Sequence, residues 1–210
     1  MRRKQMLWGT AVFLIFILTL AACTAPSAQE TGRGEGEGIT GDAEVPPTEE
    51  AIMVELPDMG EAPEFQNDVW LNSEVPVTLA AQRGKVVLLE FWTFGCINCQ
   101  RTIPWIKEWQ SAYEGDDFTV ISIHYPEFAY EREIDNVRDA LERYEITYPV
   151  AIDNDRKTWA AYNQRFWPTT YLIDKNGRIR YQHIGEFSRG SDLEAVAAIE
   201  TLMAEPDPGE

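Results

Sequence analysis

Two stretches of the chain are apolar almost without a break. Val86-Val87-Leu88-Leu89-Glu90-Phe91-Trp92 is broken by one acid, and Phe118-Thr119-Val120-Ile121-Ser122-Ile123 follows the same habit. Both are short enough to be strands buried on two faces of a sheet. Between them, Ile103, Ile106 and Tyr113 fall on one face of a helix that begins at Cys96. Tyr130, Ile134, Val137, Leu141 and Tyr144 recur at helical spacing, with charges on the opposite face, and predict a second helix. Pro149-Val150-Ala151-Ile152 reads as a third strand, and a short helix is expected from Arg156 to Tyr162. Thr169–Ile173 and Ile179–His183 flank Asp174-Lys175-Asn176-Gly177, whose Asn-Gly marks a hairpin. A last amphipathic helix covers Ser188 to Met203, and Pro206 and Pro208 end the pattern. The order predicts an α/β layered domain, with a parallel portion and an antiparallel edge, over about residues 63–204. Ahead of it, Val69-Trp70-Leu71 and Val75-Pro76-Val77-Thr78 predict a small extra N-terminal β-hairpin.

The N-terminal pattern is different in kind. Arg2-Arg3-Lys4 leads into an uncharged apolar stretch ending in Leu20-Ala21-Ala22-Cys23, which predicts a secretory signal over residues 1–22. Leu20-Ala21-Ala22-Cys23 resembles a bacterial lipobox, which implies cleavage before Cys23 and lipid attachment to it. The competing reading is an uncleaved membrane anchor, for which Met6 to Ala22 is near the short limit. Residues 24–60 contain no aromatic residue and alternate Gly with acids, so 23–62 is expected to be a lipidated, disordered linker, and 205–210 a disordered tail. The net charge is −17, and losing the signal leaves 15 basic against 35 acidic residues, or −20. Nucleic acid is excluded as a partner on that charge, and lipid on Cys23, rather than a basic patch, must hold the domain at a membrane.

With Cys23 assigned to the anchor, two cysteines remain, Cys96 and Cys99 in Phe94-Gly95-Cys96-Ile97-Asn98-Cys99. A bridge over so small a loop constrains little of the unfolded chain, so the pair points to redox chemistry or metal binding rather than a structural staple. Cys96 follows a strand and opens a helix, where free N–H groups and the helix dipole favour thiolate. That predicts Cys96 as the attacking thiol and Cys99, one turn further in, as the resolving one.

These residues resemble the thioredoxin superfamily, its TlpA/ResA-like branch, and within that the DipZ-like domains. The resemblance runs through Gly84 to Trp92 leading into Cys96-x-x-Cys99, through Pro104, and through Trp167-Pro168-Thr169-Thr170-Tyr171-Leu172-Ile173-Asp174. Cys-Ile-Asn-Cys itself, His124-Tyr125-Pro126-Glu127-Phe128 and Tyr148 to Asp155 carry the DipZ-like part. It implies a thioredoxin fold, a cis bond before Pro168 that exposes the preceding backbone to a substrate peptide, and no bound cofactor. Glu90 matches the buried acid that relays a proton to the resolving cysteine in thioredoxins; the alternative is a salt bridge to Lys85 or another cation. Phe94 and Trp167 are expected to form an apolar rim for a protein substrate, whereas Trp92 reads as core. Gly95 departs from the Trp usual before the nucleophile, and Ile97-Asn98 from Gly-Pro. The implied activity is reduction or isomerisation of disulfides in exported proteins by an extracytoplasmic, monomeric oxidoreductase. Its implied electron source is a transmembrane carrier of the CcdA/DsbD type.

Two other functions fit parts of the sequence. A thiol peroxidase would carry Pro-x-x-x-Thr-x-x-Cys; Thr93 supplies the threonine, but no proline precedes it. A Cu(I)-binding metallochaperone would use Cys96, Cys99 and one of the two histidines, His124 or His183.

Overall fold

In the computed structural model, residues 53–209 are described, apart from 114 and 116. Six strands form one sheet: β1 (Trp70–Leu71), β2 (Val86–Trp92), β3 (Phe118–His124), β4 (Val150–Ile152), β5 (Thr169–Ile173) and β6 (Ile179–Ile184). Four helices connect or cover them: α1 (Ile97–Ala112), α2 (Ile134–Tyr144), α3 (Lys157–Ala161) and α4 (Ser191–Met203). The spatial order is β1-β4-β3-β2-β5-β6. β2, β3 and β4 run parallel, and β1, β5 and β6 pair antiparallel to their neighbours. β2 lies inside the sheet and is buried along its whole length, which is why its sequence is apolar on both faces.

Alternate side chains of β2 feed two cores. Val86, Leu88 and Trp92 face Cys99, Ile103 and Ile106 of α1, Val137 and Leu141 of α2, and Ala198, Ile199 and Leu202 of α4. Val87, Leu89 and Phe91 face Trp159 of α3 with Phe65, Leu79 and Tyr162. On this second face Phe91 meets three aromatic rings, those of Trp159, Tyr162 and Tyr171, at centroid separations of 5.2–6.1 Å. The turn between β5 and β6 closes as its sequence predicts. Gly177 takes φ 77°, and the Asp174 carboxylate accepts N–H bonds from Asn176 and Arg178.

The mixed sheet with flanking helices agrees with the α/β expectation, and four details differ. The extra hairpin does not form: β1 pairs with β4, while Val75–Thr78 is not a strand. The Trp70 indole N–H instead bonds back to the Asn67 carbonyl at 3.0 Å. The helix expected from Tyr130 starts only at Ile134, because residues 129–132 form a 3-10 turn and Glu133 is extended. The last helix starts at Ser191, since Gly190 at φ 109° interrupts it. Residues 56–62, expected as linker, run beside the start of β6 and the turn before it, with Met59 N–H on Ile179 O at 2.9 Å and Ala62 N–H on Gly177 O at 3.0 Å, while Val54 N–H bonds to Thr201 on α4. The expected signal, lipidation site Cys23 and Gly-rich spacer lie outside the described residues.

Candidate active site

The buried β2 delivers the chain to one end of the sheet, where Thr93-Phe94-Gly95 turns into α1. Cys96 is the N-cap of α1 and only partly buried; its Sγ accepts the Cys99 backbone N–H at 3.4 Å. Cys99 is fully buried beneath it. This geometry separates the two thiols chemically. The Cys99 thiol and the N–H groups of Cys99 and Asn98 point at Cys96 and pull its pKa down from 9.0 to about 6, against burial and the Glu127 charge. Burial pushes the Cys99 thiol far up, reinforced by the bond to Cys96 and by the charge of Glu90. The environment thus favours thiolate at Cys96 at neutral pH, while Cys99 is held protonated and shielded.

Beneath the dithiol lies a cluster of buried polar side chains in an otherwise apolar core. Glu90 on β2 is level with Ser122 on β3 and Thr170 on β5. All three are buried, and the Glu90 oxygens, Ser122 Oγ, Thr170 Oγ1 and the Tyr148 hydroxyl lack a partner of full hydrogen-bond geometry. The salt bridge to Lys85 is not formed, and no cation pairs with Glu90 among the described residues. Burial raises the Glu90 pKa from 4.5 to about 8; the nearby Tyr148 hydroxyl opposes this, and the Cys96 charge adds to it. Tyr148 thus faces the carboxyl closely enough to interact, though outside the geometry of a full bond.

The rim is aromatic. The Trp167–Pro168 peptide is cis, and the register Phe91↔Thr169 puts Pro168 beside the end of β2 from which Cys96 emerges. Trp167 is half-buried, donates its indole N–H to Tyr125 O at 3.1 Å, and stacks on the Tyr125 ring. Phe94 stacks on His124 and touches Tyr130, while Ile97 between the cysteines is exposed. Trp92 is core, as expected. His124 is fully buried at the end of β3, with Nε2 3.4 Å from the buried Thr93 hydroxyl, and burial lowers its pKa from 6.5 to about 4. His183 is bonded to Glu186 O at 3.2 Å and stacked on Phe187. Among the described residues no three His, Cys, Asp or Glu side chains cluster as a metal site, and no helix is long and apolar enough to cross a membrane.

Sequence reasoning missed Glu131. It is fully buried, and its carboxylate accepts backbone N–H groups from Gly95, Glu127 and Phe128. In the sequence it belongs to Tyr130-Glu131-Arg132-Glu133, indistinguishable from a solvated helix face. The legible signal was Gly95: a Cβ there would run into the Glu131 carboxylate and the Tyr130 hydroxyl.

The sequence profile of the redoxin family matches residues 59–199. The chain belongs to the redoxin family. DipZ of Mycobacterium tuberculosis is 42% identical to this redoxin over 158 residues, which are 74% of this chain and 22% of DipZ. The chain therefore spans about a fifth of that relative's length. The thiol-disulfide oxidoreductase ResA of Geobacillus kaustophilus is 32% identical over 118 residues, 55% of this chain and 63% of ResA. A crystal structure of a thioredoxin-like superfamily protein superposes with a TM-score of 0.66 at 32% identity, covering 71% of this chain and 99% of that one. This redoxin falls in the thioredoxin-like superfamily, and it is similar to ResA, a thiol-disulfide oxidoreductase.

Proposed function

We propose that this redoxin reduces or isomerises disulfides of exported proteins from an extracytoplasmic position, tethered to the membrane by lipid on Cys23. The observation that carries the chemistry is the asymmetry of the thiols: Cys96 reachable and acidified to about 6, Cys99 buried and held protonated. The Cys96 thiolate attacks one sulfur of a client disulfide. An S–S bond forms between Cys96 and the client, and the second client sulfur leaves as a thiolate and takes up a proton from solvent. Forming that bond removes the Cys96 charge, one of the contributions that hold the Glu90 proton on and the Cys99 proton on. Glu90 then gives its own proton to solvent more readily, and in the fraction so ionised its carboxylate accepts the Cys99 proton. Cys99 attacks Cys96 Sγ, the client leaves with two thiols, and the enzyme keeps a Cys96–Cys99 disulfide. A transmembrane donor of the CcdA/DsbD type returns two electrons. Phe94, Trp167 and the backbone before Pro168 receive the client chain on the exposed side of Cys96.

Insulin reduction driven by dithiothreitol tests the core of this reading. Cys96→Ser should abolish the catalysed rate, and Cys99→Ser should accumulate a mixed disulfide with the substrate. Full activity in Cys96→Ser would overturn it. Cys23→Ser should release the protein from the membrane fraction of its host, and retention there would remove the anchor.

A further inference from the structure

Glu131 has no part in the steps above, yet its placement is costly. A carboxylate taken fully out of water is tolerated only when its oxygens are well bonded. Here Oε1 accepts the Gly95 N–H at 2.7 Å, and Oε2 accepts those of Glu127 at 2.7 Å and Phe128 at 2.8 Å. Charge-assisted bonds of this length are stronger than neutral ones. They join two segments far apart in sequence, the Phe94–Gly95 turn ahead of the nucleophile and the 127–128 segment after β3. Gly95 is the residue directly before Cys96, so its N–H fixes the Phe94–Gly95 peptide plane, one plane ahead of the peptide that leads into the nucleophile. The approach is so close that no side chain fits at Gly95, where Glu131 and Tyr130 already stand. Tyr130 in turn contacts Phe94 and stacks on Phe128, bracing the strap from outside.

We propose that Glu131 is a positioning residue for the attacking thiol: its buried carboxylate straps the Gly95–Cys96 turn to the 127–128 segment and so holds Cys96 in register with the first turn of α1. The proposal rests on Cys96 being the attacking thiol. The acidity of Cys96 depends on donors aimed at its Sγ from α1, the Cys99 thiol and the N–H groups of Cys99 and Asn98. The charged or titratable groups around it are Cys99 on α1, Glu127 on the 127–128 segment and Glu90 on β2, with Glu131 itself behind Gly95. Loosening the turn misaligns the donors and raises the Cys96 pKa. Merely removing a negative charge would lower it. The two effects differ in sign, which makes the strap testable.

The test is the pH dependence of iodoacetamide alkylation of Cys96 in the reduced full chain, followed by peptide mass spectrometry. Cys99 is buried and held protonated, so it does not compete in this range. Glu131→Gln removes the charge and leaves one acceptor oxygen for three donors. Gly95→Ala keeps the charge, is not at a positive φ, and pushes the carboxylate away with a methyl group. The expected result is a rise of about one pH unit in the midpoint for both variants, from a wild-type value near 6. A fall in Glu131→Gln with no change in Gly95→Ala would make Glu131 a charge and not a strap, and would overturn the proposal. A wild-type midpoint near 6 that neither variant moves overturns the strap alone. A wild-type midpoint near 9 overturns the assignment of Cys96 as attacking thiol, and the strap with it. If Glu131→Gln fails to fold, Gly95→Ala decides.

Discussion

Replacing Glu90 with Gln should stabilise the reduced protein, and by an amount that depends on pH. Burial holds the Glu90 carboxyl at about 8, against 4.5 for an exposed one. Between those values the folded chain holds a proton that the unfolded chain has released, so this group's contribution to stability falls as pH rises and is lowest above 8. At about pH 7 the carboxyl has been carried some 2.5 units past its unfolded pKa while still mostly protonated in the fold. At about 1.4 kcal/mol per unit, wild type carries a penalty of about 3 kcal/mol there. Gln carries none. Below about pH 4 the carboxyl is neutral in both states, so any packing or hydrogen-bond effect of the amide is seen by itself. Urea unfolding of both proteins at about pH 4 and about pH 7, with a phosphine reductant, should give a stability difference that grows by about 3 kcal/mol in favour of Glu90→Gln. Oxidising the dithiol removes the Cys96 contribution and should shrink that growth, though burial keeps most of it. A difference equal at both pH values would mean that Glu90 ionises normally in the fold. Its use as a base for Cys99 would then lose its physical ground. Kinetically, a Glu90→Gln variant whose exchange rate follows the same pH profile as wild type would dispose of the relay by itself.

Further expectations concern the dithiol and the second face of the sheet. In the wild-type reduced protein, alkylation of Cys96 should follow a single titration near pH 6, while Cys99 stays unmodified until the fold opens; equal labelling of both thiols at neutral pH would contradict the asymmetry. The Asp153 carboxylate caps α3, accepting N–H groups from Lys157, Thr158 and Trp159 and the amide of Asn67. Asp153→Ala leaves buried donors unpaired and should cost about 2–3 kcal/mol in urea unfolding, where a loss below about 0.5 kcal/mol would refute the cap.

How much of this was legible before folding depended on whether a signal was local. The unbroken apolar runs of β2 and β3 announced buried central strands, and Asn-Gly at 176–177 announced the last hairpin, because burial on two faces and a tight turn each write themselves into adjacent residues. Cys96 and Cys99 were legible for the same reason: strand, turn and helix start are contiguous. Long-range partners were not. Trp70–Leu71 looked like half of a hairpin, and its true partner β4 lies some eighty residues on. Glu131 looked like one more surface acid in a polar run, since one of the three amides that justify its burial comes from Gly95, 36 residues earlier, and the two local ones, from Glu127 and Phe128, leave no mark of their own in the polar run. Gly95 carried the complementary trace, a missing side chain where a bulky one is common. Periodicity alone could not assign the space to a neighbour.

The polar cluster under the dithiol also contributes to how the fold responds to acid. Trp92 and His124 are register partners, and Glu90, two residues before Trp92, shares their face of the sheet. Burial acts on the two groups in opposite directions: it pushes Glu90 up to about 8 and His124 down to about 4. As pH rises from about 4.5 to 6.5, Glu90 costs the fold about 1.4 kcal/mol per unit, because the folded state keeps its proton. Over the same range His124 returns a similar amount, because the unfolded state alone binds a proton there, and this stabilisation is complete only above 6.5. The two slopes cancel, so this pair together should add almost no pH dependence to wild-type stability in this window, before the acidified Cys96 adds its own rise above about 6. Breaking either partner should unmask the other. Glu90→Gln should gain about 3 kcal/mol of stability between about pH 4.5 and 6.5, and His124→Asn should lose a comparable amount over the same interval. Urea unfolding at half-unit steps reads both slopes. Parallel curves for the two variants would show that the groups are not opposed, and would remove the idea that one buried acid and one buried base balance each other beneath the nucleophile.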